Sequence, residues 1–450
     1  MMRSLKLSLK EIAKYPSAIV GLVMISLLVF VAIYALVTMP YGEAVRLWRG
    51  SEADWYNSPR NAPPIWYNWF SDVKQPETIH IHEDFEGYTK TVDVGEDGLP
   101  VILIEYNFEF TADDFPQEVS LFLTSEFESK KPFANVMWFT PDGREIEISE
   151  LGVGVKENYI FGQDKRLLRR LDKLAPAVGL FMDPNSDPEN PVPLKGTYRV
   201  TVAGRTFEEN TDLNGELVVY GQVHGWGGTD HMRRDLMVPL LWGAPVALMF
   251  GLLAAVGIQV LTIVIAAVGV WFGGVLDALI QRVTEVNLAL PFLSILIMIG
   301  TFYDRSIWTM LGATVVLSIF GGAIKGYRAI FMQVKASTYI EAARAYGAGN
   351  LRIIFLYLIP RIIPLIIPGL VLSVPTFVFL EATLAVLTLG DPELPTWGKV
   401  INDAATYGAT YNGFYYWILE PAVLLIITGF GFAMLGYSLD RIFNPRLREI

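Results

Sequence analysis

Four short stretches of this 450-residue chain place ligating or docking side chains at regular intervals. His80-Ile81-His82 sets two imidazoles on one face of a strand. That suits half of a metal site, or simply two exposed strand residues. Asp183-Pro184-Asn185-Ser186-Asp187-Pro188-Glu189 offers an oxygen ligand at every second position, as a calcium loop does. It lacks the glycine and the late glutamate of the EF-hand pattern, so an acidic, proline-rich turn is the competing reading. Residues 164–174 line up Leu167, Leu168, Leu171 and Leu174 on one helical face, with Arg166, Arg169, Arg170 and Lys173 elsewhere. Such a stripe packs on its own domain, or meets an acidic partner or lipid headgroups. The fourth stretch runs from Thr338 to Pro360. Thr338 and Glu341 have capping-box spacing, and good helix formers follow to Tyr346. Gly347 suits the left-handed position that ends a helix, and Asn350 can cap a second helix that Pro360 breaks or bends. Small residues at Ala342, Ala343 and Gly347 permit close approach by another protein. The stretch reads as a rigid docking helix–turn–helix or as an ordinary amphipathic connector.

Composition narrows the chemistry. With no cysteine, disulfides, thiolate metal sites and cysteine nucleophiles are excluded. The chain contains no phosphate-cradling G-x-x-x-x-G-K-[ST], no G-x-S-x-G and no H-E-x-x-H, so no catalytic residue, metal ligand or cofactor is assigned to it. A net charge of −11 argues against nucleic acid as a partner. Apolar residues make up 52% and charged residues 18%, against about 45–50% and about 25% in soluble proteins. The charge is divided: residues 40–235 carry −15 and the remainder +4.

That remainder reads as membrane spans. No charge lies between Lys14 and Glu43, Asp235 and Asp277, Glu285 and Asp304, Arg305 and Lys325, Arg361 and Glu381, or Glu420 and Asp440. A spanning helix needs about 20 mostly apolar residues. Six spans are predicted, near 17–38, 242–270, 286–302, 306–325, 362–386 and 417–438, with Pro239 and Pro245 marking the start of the second stretch as a lead-in. Arg3, Lys6, Lys10 and Lys14, then Arg282, then Lys325, Arg328, Lys335, Arg344, Arg352 and Arg361, and finally Arg441, Arg446 and Arg448 fall on one side. The short loops on the other side carry only Arg305 and Lys399. The positive-inside rule then puts both termini in the cytoplasm and residues 41–235 outside, in a multi-pass protein of the cell (inner or plasma) membrane. The uncharged run Ala18–Met39 exceeds a signal-peptide core, which spans about 7–15 residues.

Within the outer block, Val101–Phe110, Glu118–Ser125, Ala134–Thr140, Glu145–Ser149, Gly196–Val202 and Glu216–Gly221 read as strands, with turns at Pro141-Asp142-Gly143 and Asn214-Gly215. The expected fold is therefore a membrane α-helical bundle of six transmembrane helices with a large inserted extracytoplasmic β-rich, sandwich-like domain. Its parts are residues 1–40 (cytoplasmic N-terminus and first span), 41–225 (β-rich domain) and 226–450 (a five-helix core with a cytoplasmic loop at 326–360).

Glu341-Ala342-Ala343, Gly347 and Pro360 thirteen residues further on resemble the "EAA" loop of ABC importer permeases, between two late spans as in that family. Gly228-Thr229-Asp230 with Arg234-Asp235 is similar to the GTD…GRD signature before the second span of the dipeptide/oligopeptide permease C-type subunits. Glu381 to Gly390, Pro395-Thr396-Trp397-Gly398 and Asn444-Pro445-Arg446-Leu447-Arg448 also resemble stretches of that family. The resemblance covers roughly 1–40 and 225–450. It departs at Arg233, where the family has glycine, at Pro245, where it has arginine, and at Ile359-Pro360, where it has Leu-Pro. Most of residues 60–220 looks like an insertion with no role carried over.

The resemblance implies one membrane-spanning subunit of an ATP-driven importer, for di- or oligopeptides, with metal chelates and sugars as cargoes of related systems. It implies a second permease subunit, two ATPase subunits that hold the ATP and magnesium, and an extracytoplasmic substrate-binding protein. The loop with Glu341, Ala342, Ala343, Gly347, Gly349 and Pro360 would couple to the ATPases. Pro360, Pro364 and Pro368 stand at i, i+4 and i+8 with Pro375 beyond, which suits a bend along the pathway or a tolerated kink. Glu381 near a span end suits a gate or pathway role, or a hydrogen bond that fixes the span. The alternatives are a membrane-anchored β-domain receptor or assembly scaffold that moves nothing, and a secondary transporter, against which stand the few charges in the spans and the lack of an evident repeat.

Overall fold

In the computed structural model, residues 14–95, 98–187 and 189–443 are described. Arg3, Lys6, Lys10, Pro188 and the 444–448 motif lie outside them. The chain divides into two compact units, Gly50–Met237 and the remainder. The first division falls later than the composition shift at residue 40, because Tyr41–Arg49 forms a helix within the second unit. The other falls at Met237, where the long second apolar helix begins, rather than at 225.

Alternation builds the Gly50–Met237 unit. On β3 (Pro100–Phe110), Ile102, Ile104, Tyr106, Phe108 and Phe110 are buried, with less covered residues between them, as the two-residue period of a strand requires. Among the described residues, nine strands form two antiparallel sheets: β1 (Ile79–Ile81), β9 (Asp212–Tyr220), β4 (Glu118–Glu126) and β7 (Lys156–Ile160) in one, and β2 (Tyr88–Val94), β3, β8 (Gly196–Arg205), β5 (Phe133–Phe139) and β6 (Glu145–Gly152) in the other. Both sheets contribute to one core, in which Trp138 and Phe181 sit 5.3 Å apart and Phe181 and Tyr198 4.9 Å apart between ring centroids. The six predicted strands are all present. The predicted Asn214-Gly215 turn is not: both residues lie inside β9, paired with Thr124 and Leu123. Gly215 is there for space, since a Cβ would come within 2.6 Å of Leu123 and 2.7 Å of the Tyr106 hydroxyl. Gly143, with φ of 86°, does make the turn expected after Pro141.

Helix Lys165–Arg170 is capped by Asp164 and packs Leu167 and Leu171 into the same core. It stops short of residue 174 because Asp172 and Lys173 take positive φ.

The other unit is helical. Pro16–Thr38, Met237–Phe272, Asn350–Val386 and Tyr416–Phe443 are each long and apolar enough to cross a membrane. Two further segments are bent pairs, Gly274–Ala289 with Phe292–Phe302 at 77° and Ile307–Ile319 with Ala323–Lys335 at 49°. The expected spans at 286–302 and 306–325 are thus broken helices. Pro291 stands in the first break and Gly321-Gly322 in the second. Proline removes a helical donor and disfavours helical geometry in the residue before it, and glycine weakens helix continuity. Pro239 and Pro245, expected to mark a lead-in, lie within one continuous 36-residue helix.

Candidate functional site

The stretch singled out at 338–360 is a folded element with one face seated in its own unit. Helix Ala323–Lys335 is followed by Ser337 and then helix Thr338–Ala345. Ile340, 1% exposed, joins Phe331, Ile353, Ile354 and Leu358 in a core built on the 237–272 helix. The capping box does not form: Ser337 is the N-cap, Thr338 is the first helical residue, and Ser337 Oγ donates to the Val334 carbonyl at 2.5 Å. Asn350 is likewise the first residue of its helix, and Gly349 holds the cap position.

The C-terminal end follows the expected rule. Gly347 has φ of +78°; its N–H donates to Arg344 O at 2.9 Å, and that of Ala348 to Ala343 O at 3.0 Å. These are the two bonds of a Schellman motif. A Cβ on Gly347 or Gly349 would meet nothing within 4 Å. Glu341, Ala342, Tyr346, Gly347 and Gly349 are exposed, whereas Ala343 is buried and serves internal packing.

Pairings the sequence did not reveal hold this element in place. Lys335 Nζ donates to the carbonyls of Val270 at 2.7 Å and Trp271 at 3.0 Å, near the end of the 237–272 helix. There a cation satisfies orphan carbonyls and complements the helix dipole. The Arg344 guanidinium lies 4.4 Å from the Trp271 ring centroid. Arg328 forks onto Asp277, at 2.9 Å from Nε and 2.6 Å from Nη2. One clue was legible: Asp277 is the first charge after a 41-residue uncharged run.

Pro360 does not break its helix. The turn Ile354–Leu358 is π-helical, and the Ile359 N–H reaches back five residues to Ile354 O. In a regular helix the Pro360 ring would clash with the carbonyl four residues back, and the widened turn accommodates it. Tyr339, Leu356, Tyr357, Pro360, Arg361 and Pro364 line an open hollow of about 550 Å³. Pro364 is exposed and Pro368 buried.

Glu381 is buried beside Thr396. Thr396 caps helix Trp397–Thr406 by accepting from the Lys399 N–H at 3.3 Å. Trp397 donates to Leu240 O at 2.9 Å and fills a notch at Gly243, where a Cβ would come within 2.2 Å of its ring. A Cβ at Gly398 would come within 2.6 Å of Ala382 O. The Thr396-Trp397-Gly398 stretch is therefore the seat against which the Glu381 helix packs.

The Gly228–Asp235 signature is a buried polar turn in the β-rich unit. Thr229 Oγ donates to Pro59 O at 2.8 Å and accepts from the Ala62 N–H at 2.9 Å. Asp230 accepts from Arg234 Nε at 2.5 Å and from the N–H groups of Met232 and Arg234. Burial outweighs the Arg234 charge and pushes the Asp230 carboxyl above its ordinary range. Asp235 accepts from the Met237 N–H at 2.8 Å, and burial raises its carboxyl too. Gly228 has φ of 68° and Arg233 φ of 66°. Left-handed geometry at 233 suits the family's glycine. Here Arg233 holds it with contacts: Nη1 donates to Ser58 O at 2.8 Å, Nη2 to Glu118 at 3.0 Å, and the guanidinium lies 4.4 Å from the Tyr220 ring centroid.

The ligating candidates resolve locally. His80 Nε2 pairs with Glu216 at 2.7 Å. Asp183 and Asp187 each accept the N–H two residues on, at 2.9 Å. Among the described residues no group of three His, Asp or Glu could hold a metal.

The sequence profile of the family described as "Binding-protein-dependent transport system inner membrane component" matches residues 259–449, which include the whole 338–360 element and Glu381. The dipeptide transport system permease protein DppC of Bacillus subtilis is 30% identical over 225 residues, 50% of this chain and 69% of that protein. The oligopeptide transport system permease protein OppC of the same organism is 29% identical over 226 residues, covering 50% and 72%. OppC of Escherichia coli K12 is 29% identical over 223 residues, covering 49% and 72%. The chain belongs to the binding-protein-dependent transport permease family. In this permease the family match begins at residue 259, so the β-rich unit lies outside it. The same permease match takes in both bent helix pairs and the Thr396-Trp397-Gly398 seat.

Proposed function

We propose that this chain is one of two membrane-spanning subunits of an ATP-driven importer of short peptides. The observation that carries the reading is the Thr338–Ala345 helix, closed by Gly347. Its inner face is fixed by Ile340 and its outer edge of Glu341, Ala342, Tyr346 and Gly347 is open. A helix held that way moves with its spans and leaves an edge for an ATPase subunit to grip. The peptide cargo follows the named relatives, which are dipeptide and oligopeptide permeases.

In this reading each bent pair counts as one span, giving six, with both termini cytoplasmic and residues 41–235 outside. The functional parts remain 1–40, 41–225 and 226–450, with 326–360 as the coupling loop. A binding protein delivers peptide at the outer face. Two partner ATPases bind ATP and magnesium, and their closure pulls the 338–347 helix and shifts the spans between outward and inward states. ATP drives the shift only through its different affinity for those states. Gly349 and Pro360 shape the far side of the loop. Pro364 and Pro360 face the pathway or the second permease subunit, while Pro368 and Glu381 act from inside the bundle as positioning residues. Gly228, Thr229, Asp230, Arg234 and Asp235 hold the turn that ends the β-rich unit.

The test is Gly347→Asp in the assembled transporter. The new side chain meets no neighbour in this chain, and its left-handed backbone costs about 1–2 kcal/mol, so assembly should survive while peptide uptake and peptide-stimulated ATP hydrolysis fall at least tenfold. Unchanged uptake and coupling in an intact complex would overturn the coupling assignment.

A further inference from the structure

The β-rich unit contains a hollow of about 390 Å³ that the transport reading leaves without a task. Its floor is β9 at Asn214–Glu216 and β4 at Phe122–Thr124, its edge is β7, and residues near 53–56 and 83–88 form the walls. Three aromatic residues line it, Tyr56, Tyr88 and Phe122, with Tyr56 and Phe122 4.9 Å apart edge to face. Glu216 is fixed from one side only. Its Oε2 accepts the Tyr56 hydroxyl at 2.7 Å and meets His80 Nε2 at 2.7 Å, while Oε1 has no hydrogen-bond partner among the described residues. On β7, Lys156 and Asn158 line the same hollow, and Lys156 makes no ion pair among the described residues.

A positioned carboxylate among aromatic rings is the chemistry that recognises an ammonium group. A lysine and an amide across the same hollow are the chemistry that recognises a carboxylate. The volume suits a ligand of about two or three amino-acid residues. The −15 charge of residues 40–235 draws positively charged groups toward it.

We propose that this hollow binds a short peptide by its two free ends, the ammonium at Glu216 and the carboxylate toward Lys156, so that the permease itself carries a peptide site. The proposal rests on the peptide reading of the importer, and its test is kept separate from that reading. The full-length chain, in lipid nanodiscs without ATPase subunits, is titrated calorimetrically with trialanine, N-acetyl-trialanine and trialanine amide. One saturable site for trialanine is expected. N-acetylation and E216Q should each weaken binding at least tenfold. K156Q should weaken trialanine several-fold and leave trialanine amide unchanged. Circular dichroism checks that E216Q and K156Q are folded; Lys156 is exposed and makes no ion pair among the described residues. Absence of saturable binding, equal binding of the N-acetylated peptide, or K156Q acting alike on both peptides overturns the site. None of these outcomes touches the importer reading, which stands or falls on the Gly347→Asp uptake assay.

Discussion

Val23, Phe30 and Val37 on the first apolar helix are 62%, 65% and 75% exposed, whereas Trp138, Phe161 and Tyr198 in the β-rich unit are wholly covered. The β-rich unit hides its apolar side chains between its own sheets. The helical unit leaves a long apolar surface whose cover must come from outside the chain, as hydrocarbon or a second subunit. Glycine does two different jobs in the chain. Gly215 and Gly243 are glycines because a neighbour fills the space a side chain would need, while Gly347 sits in open space and is there for its backbone angle.

The largest expected effect that tests this contrast is Trp138→Ala. Removing a fully buried ring should destabilise the β-rich unit by about 3–5 kcal/mol. Denaturant unfolding followed by near-ultraviolet circular dichroism would show it, while the far-ultraviolet helical signal stays in place. A loss of helical signal in step with the near-ultraviolet change would break the picture of two separately covered units.

Arg233 sharpens it further. Arg233→Ala keeps a left-handed backbone and loses the contacts to Ser58, Glu118 and Tyr220, whereas Arg233→Gly loses the contacts but relaxes the backbone. The alanine variant should be less stable than the glycine variant by about 1 kcal/mol, and both should melt below the parent. Equal melting points for the two variants would show that the left-handed backbone costs nothing here, and a glycine variant that melts with the parent would show that the contacts do not hold the turn.

The smallest effect concerns an exposed clamp between loops. Glu208 accepts from Ser129 Oγ and from the N–H groups of 128, 129 and 130, and these bonds bring its carboxyl down to about 2 from an ordinary 4.5. A depressed carboxyl stabilises the fold above its unfolded value. That stability is lost as pH falls from about 4.5 toward about 2. Glu208→Gln should therefore lower the melting point slightly at pH 7 and leave it unchanged near pH 2. A difference that persists at pH 2 would mean the side chain acts through packing.

Much of the fold was legible because it is written locally. Six strands, the Pro141–Gly143 turn, the four long apolar helices and the Gly347 helix end all follow from short-range periodicity and backbone preference. The missed strands, β2 and β7, are short or polar edge strands, where one side lacks a sheet neighbour and the alternation signal fades. The bent helices were read as straight spans because hydropathy counts apolar residues and ignores the break at Pro291. The loop residues from Glu341 to Pro360 were visible as a motif, but Ala343 turned out to face inward, and Thr338 and Asn350 gave up their caps to Ser337 and Gly349.

By itself, the sequence determined where apolar length suffices to cross a membrane, where the chain must turn positive in φ, and which family motifs it carries. Only the tertiary structure decided that Asn214-Gly215 is strand, that Glu381 meets Thr396, that Arg233 replaces a glycine through three contacts, and that Glu216, Tyr56 and Lys156 share one hollow. Backbone preference acts within a few residues, whereas each of these outcomes depends on a partner brought close from elsewhere in the chain.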